Sequence, residues 1–228
     1  MRTFLSGQDS PTQTALPAGE FLHPIPIAAL LLLIANDWWL KPSSWAPAIL
    51  TGKLSDVAGL LFFPLLLTAL VDCLLLGLFR LGLDLDFSLR RWKLALSILA
   101  TASLFAAIKL WPAANGLAID LVGALGLTAH IVLDPTDLLA LPILWVSWRV
   151  GTREIALVPL GRMEFLLRPR RAHVGSLLQD LVPCGADPGK VGRFLEAVAH
   201  YRNHPGPESE RILGESLARL RDLSPTRA

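Results

Sequence analysis

Long apolar runs, separated by short polar stretches, fill the chain between Phe21 and Val150. The clearest run is Val57–Phe79, which is long enough to cross the hydrocarbon core of a bilayer at about 1.5 Å per residue. The other apolar runs are shorter or less regular: Phe21–Leu40, Leu94–Leu110, Gly116–Leu133 and Leu138–Val150. The pattern predicts an all-α integral membrane protein.

Polar sequence lies on both sides of this apolar region. Residues 1–20 are rich in Gly, Pro, Ser and Gln, which predicts a flexible N-terminal arm. Loose alternation over Glu154–Arg168 predicts a hairpin. Apolar residues then recur at helical spacing in Val174–Leu181, Val191–Tyr201 and Glu208–Leu223. We therefore divide the chain into an N-terminal arm (1–20), a transmembrane helical domain (21–150) and a soluble, mainly helical C-terminal module (151–228).

Basic residues predict the orientation, because Lys and Arg beside membrane segments favour the cytoplasm. They concentrate in two stretches, after the second and fifth apolar runs: Arg80, Arg90, Arg91 and Lys93, then Arg149, Arg153, Arg162, Arg168, Arg170 and Arg171. Five crossings would place these stretches on opposite sides. Four transmembrane helices plus one re-entrant or short helix keep both inside, and Gly116–Leu133 is the most polar and glycine-rich candidate for that segment. Five ordinary spans with the tail outside are the alternative.

Tryptophans and composition agree with a multi-pass protein of the cell membrane. Trp38, Trp39, Trp45 and Trp111 would form an outer interfacial belt, and Trp92, Trp145 and Trp148 an inner one. The chain is 53% hydrophobic with a formal net charge of +2, which argues against a nucleic-acid partner. Its two cysteines rule out a disulfide framework. We expect the bilayer to be the main partner and the C-terminal module to be cytoplasmic.

Polar residues scattered along the chain would meet at the extracytoplasmic face in this topology. They are Asp37, Lys41, Lys53, Ser55, Asp56, Lys109, Asp134 and Asp137, with Asn36, Thr51 and Asn115 nearby. A purely structural explanation is strong, because Asp134-Pro135-Thr136-Asp137 and Ser55-Asp56 are good helix starts. The functional alternative is an anion site for a phosphate or carboxylate headgroup, such as that of an anionic lipid, made by helix N-termini and lysines.

Two other functions start from the same residue types. Asp56, Asp134 and Asp137, with Asp37 near, could hold a divalent cation while Lys53 holds phosphate, as in a membrane-embedded enzyme acting on lipid-linked phosphate. Alternatively, the intramembrane polar residues Asp72, Asp120 and His130 could serve a small proton-coupled transporter. A divalent cation is the cofactor that the first alternative requires.

One group of motifs resembles a family of small bacterial integral membrane proteins of uncharacterised function. The residues are Thr51-Gly52-Lys53-Leu54-Ser55-Asp56 with Ala58-Gly59-Leu60 and Pro64, the upstream Asn36-Asp37, and the later Asp134–Leu141 (DPTDLLAL). The resemblance covers Phe21 to Val150 and implies a compact multi-span membrane protein. It implies no activity, substrate or cofactor, so enzyme, transporter and scaffold stay open. The C-terminal module departs from this pattern and could dock a soluble partner through its last two helices.

Overall fold

We describe a computed structural model of the protein over residues 16–43, 47–83, 85–124, 126, 131–156, 166–167 and 181–221. This part of the chain is all-helical and contains no strand, which confirms the all-α class. The chain divides into two compact units. The first comprises Met1–His23, Leu66–Leu94 and Arg149–Ala228, and the second comprises Pro24–Leu65 and Ala95–Trp148. The domain boundaries at residues 20 and 150 stay a prediction.

Seven α-helices occur in the described residues: α1 Pro24–Ala35, α2 Ala48–Arg80, α3 Arg91–Leu110, α4 Pro112–Ala124, α5 Leu144–Ala156, α6 Pro188–Asn203 and α7 Pro207–Arg221. A π-helical turn, Asn36–Leu40, follows α1, and a 3-10 helix, Pro135–Ile143, leads into α5. A second, short 3-10 helix covers Val182–Cys184. The predicted hairpin over Glu154–Arg168 is wrong at its start, because Glu154–Ala156 complete α5, and most of its remainder lies outside the described residues.

Two helices of the described chain are long and apolar enough to cross a membrane. They are α2, over Ile49–Arg80 with a mean hydropathy of 2.3, and α3, with 1.6. The apolar stretch Pro24–Leu40 is shorter than this class of helix. Helix α4 has 13 residues, about 20 Å at 1.5 Å per residue, which is less than the roughly 30 Å hydrocarbon core. Length and composition therefore identify two candidate spans rather than the four predicted.

A proline inside α2 is accommodated by a side chain from α5 within the second unit. Pro64 has no N–H, so the carbonyl of Leu60 loses its helical donor, and the ring disturbs the neighbouring turn. The Ser147 hydroxyl donates to the carbonyl of Leu61 at 2.8 Å and lies 3.4 Å from that of Leu60. Ser147 is fully buried. Its hydroxyl therefore brings a hydrogen-bond donor from α5 to the backbone carbonyls at the break.

The first unit contains a buried ion pair beside an aromatic contact. Lys93 Nζ donates to Asp72 Oδ1 at 2.8 Å and also to the carbonyls of Asp86 and Ser88. Phe79 and Phe87 meet edge to face with ring centroids 5.0 Å apart. These contacts fix the connection between α2 and α3.

A glycine gives α5 close access to α3 in the same unit. A Cβ placed on Gly151 would lie only 2.5 Å from Leu94 Cδ2, and Leu94 is fully buried. No residue larger than glycine fits at position 151 without moving Leu94.

Helices α6 and α7 form most of the described part of the C-terminal module. Asp187 caps α6 through the N–H of Gly189, and Pro188 occupies the first turn. The buried faces carry the residues expected from helical spacing: Leu195, Val198, Leu213, Leu217 and Leu220. The chain reverses between Asn203 and Pro207, at the predicted Pro-Gly-Pro boundary. The sequence therefore anticipated both helices.

Candidate functional site

The second unit brings five of the predicted site residues into one ion-pair network, which we call the Lys/Asp network: Lys53, Asp56, Lys109, Asp134 and Asp137. Lys109 is at its centre. Its Nζ donates to Asp56 Oδ2 at 2.9 Å and to Asp137 Oδ2 at 2.6 Å. Both Lys109 and Asp137 are buried, at 8% and 7% exposure. The network therefore connects α2, α3 and the 3-10 helix before α5.

Lys53 extends the Lys/Asp network toward the start of the 3-10 helix. Its Nζ donates to Asp137 Oδ1 at 3.0 Å and to the Thr136 hydroxyl at 2.8 Å. Asp134 caps this helix, because its Oδ1 accepts from both the N–H and the hydroxyl of Thr136. The helix start predicted at Asp134-Pro135 is confirmed, although its first turns are 3-10 rather than α. The cap places Asp137 where both lysines can reach it.

The remaining predicted residues form a second polar group at the π-helical turn. The Ser55 hydroxyl accepts from Asn36 Nδ2 at 2.7 Å and donates to Asp37 Oδ1 at 3.1 Å. Asn36 Nδ2 also donates to the carbonyl of Thr51 at 2.7 Å. Lys41 pairs with Asp37 at 2.6 Å. Ser55 and Asp56 are consecutive in α2, so this group adjoins the Lys/Asp network.

One buried acceptor in this second group has no hydrogen-bond donor in the structure. Asn36 is fully buried, and its Oδ1 has no partner although its Nδ2 makes two bonds. An unsatisfied buried acceptor costs about 1–3 kcal/mol, so such atoms are rare in folded proteins. Asn36 also opens the π-helical turn, a type of irregularity that is frequent at functional sites.

The charges of the Lys/Asp network stabilise one another. Burial alone would raise the pKa of Asp137, but hydrogen bonds and positive charge from Lys109 and Lys53 outweigh it and lower that pKa. Hydrogen bonds from Thr136 to the half-exposed Asp134 lower the pKa of that carboxyl as well. Both carboxylates are therefore ionised at neutral pH. Two lysine ammonium groups face three aspartate carboxyl groups in the network.

This charge pattern favours some of the predicted chemistries over others. An anionic headgroup would have to displace aspartates from Lys53 and Lys109, since both ammonium groups already donate to carboxylates. Among the described residues, no group of three or more His, Cys, Asp or Glu side chains is arranged to hold a metal ion. The geometry fits ion pairs that hold the helices together, in a network with more carboxyl groups than ammonium groups.

A groove of about 200 Å³ runs between α2 and α3 beside the Lys/Asp network. Ser55 and Asp56 form its polar end. The rest of its wall is mainly apolar and aromatic: Gly59, Leu60, Phe62, Phe63, Thr101, Leu104, Phe105 and Ile108. No pattern in the sequence predicted this groove, because its two walls come from helices about 50 residues apart in the chain.

The described chain shows the surroundings of two of the three predicted intramembrane polar residues, and their relay stays a prediction. Asp72 belongs to the first unit and is paired with Lys93. Asp120 is exposed on α4, and His130 lies outside the described residues. The partners Lys93 and Ser147 were not anticipated as interacting residues. In the sequence, each lies in or beside an apolar run, and Ser147 is a polar residue between two tryptophans. Neither feature identifies an interaction partner.

Comparison with known proteins gives no match: no family model, no curated protein and no solved structure is similar to the chain. Conclusions about function therefore come from the sequence pattern and the geometry.

Proposed function

We propose that the chain is a multi-span membrane protein whose Lys/Asp network locks the helices together at the extracytoplasmic face. The observation that carries this proposal is the inverted distribution of side chains on α2 and α3. Several of their leucines, such as Leu70 and Leu74, are more than half exposed, whereas the ionisable groups Lys93, Lys109 and Asp72 are buried and paired. Such a surface is costly in water and stable in hydrocarbon.

Helix α3 gives the sharpest example of this inversion. Only 28% of its most apolar window is buried, although its mean hydropathy is 1.6. Leu96, Leu99 and Leu104 are each more than half exposed. A core helix of a water-soluble protein would bury these side chains and leave its lysines outside. The arrangement fits a helix surrounded by lipid.

The topology that we propose has four crossings: residues 24–40, α2, α3 and Leu138–Val150, which lies within the continuous helical stretch Pro135–Ala156. Helix α4 has no such extension and is the segment that does not cross, which agrees with the polar and glycine-rich sequence there. The arginines after α2 and α5 favour a cytoplasmic C-terminal module, and this orientation places the Lys/Asp network outside. The motif resemblance to small bacterial membrane proteins supports the same assignment.

Holding the bundle together is the role that the contacts support best. The members of the Lys/Asp network come from α2, α3 and the start of the 3-10 helix, so their ion pairs join three elements. Each buried charge in the network has a partner of opposite charge. The enzyme and transporter alternatives need a metal cluster or a proton relay, and the second unit's described contacts supply a lock instead.

Thiol labelling of whole cells tests the topology. Ser43→Cys in a chain lacking Cys73 and Cys184 reports the loop after the π-helical turn, and native Cys184 in a Cys73→Ala chain reports the C-terminal module. We expect a membrane-impermeant maleimide to label position 43 in intact cells and Cys184 only after permeabilisation. The doubly cysteine-free chain is the control for background labelling.

Two results would contradict the proposal. Labelling of both positions in intact cells would support five spans with the tail outside. Release of the wild-type protein from membranes by alkaline carbonate would show that it is not an integral membrane protein at all.

A further inference from the structure

A cleft opens along one side of the contact between α6 and α7, within the first unit. Its volume of about 370 Å³ falls in the roughly 300–1,000 Å³ range of pockets for small molecules. Helix α6 lines it with Lys190, Arg193 and Ala197, whose spacing of three and four residues puts them on one face of the helix. Helix α7 adds Ile212 and Arg219. Basic side chains and apolar surface therefore meet in one concave space.

Three cations of this cleft have no counter-ion. The side chains of Lys190, Arg193 and Arg219 make neither a hydrogen bond nor an ion pair in the described part of the chain. Arg211, which is also on α7 but does not line the cleft, is instead paired with Glu215. The cleft thus collects the cations that the surrounding helices leave unpaired.

The charges that line the cleft do not balance. Glu196 is its one carboxylate without an ion-pair partner among the described residues, since Glu215 is already paired with Arg211. Three unpaired cations against one unpaired carboxylate leave an excess of two positive charges. Lys190 and Arg193 also lie one turn apart on the same face, where like charges destabilise a helix. A guest with two negative charges would neutralise the excess and relieve this repulsion.

We propose that this cleft binds a small organic phosphate monoester. A phosphate monoester carries about −1.5 to −2 charges at pH 7 and presents three acceptor oxygens, which matches the excess charge. Guanidinium groups such as those of Arg193 and Arg219 recognise phosphate through paired N–H donors. Ala197 and Ile212 give apolar surface to the organic part of the guest. The proposal is independent of the membrane topology and of the Lys/Asp network.

Calorimetric titration of the full-length chain in dodecyl maltoside micelles tests the proposal with two probes of one ring size. Phenyl phosphate approaches two negative charges, whereas benzenesulfonate has one. We expect phenyl phosphate to bind at least about tenfold more tightly, the size of one charge-assisted hydrogen bond.

Glutamine variants locate the binding, because glutamine removes the charge and keeps a high helix propensity. Arg193→Gln and Arg219→Gln should each weaken phenyl phosphate binding by about tenfold or more. Arg153→Gln is the matched control. It removes one charge from an exposed arginine of α5 that does not line the cleft, and it should leave the affinity nearly unchanged. Circular dichroism spectra of the three variants check that their helices are intact.

A lipid arm distinguishes two sources of the same phosphate chemistry. Phosphatidic acid, a lipid phosphate monoester, is added to the micelles in place of phosphatidylcholine. Loss of phenyl phosphate binding with phosphatidic acid alone would assign the cleft to a lipid headgroup, and retained binding would assign it to a soluble phosphate ester.

Three results would overturn the proposal. The first is no binding of phenyl phosphate at millimolar concentration, or binding no tighter than that of benzenesulfonate. The second is an unchanged affinity in both Arg193→Gln and Arg219→Gln, which would place the anion elsewhere. The third is an equal loss in Arg153→Gln, which would show that the net charge of the chain, rather than the cleft, attracts the probe.

Discussion

At the scale of single residues, Asp137 is the carboxylate on which the Lys/Asp network depends most. It is the acceptor shared by Lys53 and Lys109, and it is almost fully buried. Removing its charge leaves the buried Lys109 with one carboxylate partner fewer. Asp134, in contrast, is the helix cap and accepts its main hydrogen bonds from Thr136. The two aspartates of one short segment therefore have different roles, which their spacing in the sequence does not reveal.

We expect Asp137→Asn to lower the free energy of unfolding by about 3 kcal/mol, because one partner of a buried ion pair is lost. Asp134→Asn is the control and should change it little, since asparagine caps helices about as well as aspartate. Urea denaturation in detergent micelles with circular dichroism at pH 7 measures both. Equal losses in the two variants would show that the lysines do not distinguish these aspartates.

The lowered pKa of Asp137 also predicts how stability depends on pH. Because the folded-state pKa lies below the unfolded value, the stabilisation is complete above about pH 4 and is lost as pH falls through the folded pKa. We expect wild type to lose stability between about pH 4 and the folded pKa, and Asp137→Asn to lose less over that range. Thermal unfolding across this pH series measures the difference, and parallel curves would contradict the assignment.

At the scale of elements, Pro64 and Ser147 form a pair that the linear sequence separates by 83 positions. The proline removes a donor from α2, and the serine hydroxyl from α5 restores one. A helix in lipid tolerates proline when another group hydrogen-bonds to the backbone at the break, because unpaired backbone groups are costly away from water. The pair therefore couples the packing of α5 to the shape of α2.

A double-mutant cycle tests this coupling. Ser147→Ala should cost about 1–2 kcal/mol in the wild-type chain, since it leaves carbonyls unsatisfied. In a Pro64→Leu chain, where the backbone N–H is restored, the same change should cost about 0.5 kcal/mol or less. Unfolding free energies of the four variants in one detergent give the interaction energy. An interaction energy of zero would show that Ser147 does not serve the break at Pro64.

The close approach of α5 to α3 gives a second prediction at this scale. Gly151→Ala should destabilise the protein by about 1–3 kcal/mol, because the new methyl group overlaps the buried Leu94 side chain. Gly192→Ala in α6 has open space at its Cβ position and should stabilise by up to about 1 kcal/mol through helix propensity. Melting temperatures of the two variants should therefore move in opposite directions. A stabilising Gly151→Ala would contradict the packing.

At the scale of the whole molecule, the sequence predicted the helical class, because periodicity and capping are local properties. It also named Lys53, Lys109 and Asp137 as neighbours from topology alone. It could not predict that Asp72 is paired with Lys93, because this burial depends on contacts between residues distant in the chain. The groove was missed for the same reason.

The proposed membrane placement predicts which tryptophans meet lipid. Trp38, Trp39, Trp92, Trp111 and Trp145 are all strongly exposed. Indole rings at such positions occupy the headgroup level of a bilayer. In nanodiscs, lipids brominated near the headgroup should quench tryptophan fluorescence more strongly than lipids brominated near the chain ends. Equal quenching by both, or none, would contradict interfacial positions for these side chains.

The Asp72–Lys93 contact constrains how the newly made polypeptide can enter the membrane. Asp72 is completely enclosed, and its ammonium partner is synthesised 21 residues later. A lone α2 would carry an uncompensated carboxylate, whereas α2 and α3 together carry a neutral pair. The two helices should therefore leave the translocon as a hairpin. Nascent chains stalled just before Lys93 emerges should still cross-link to the translocon, and those stalled after it should cross-link to lipid.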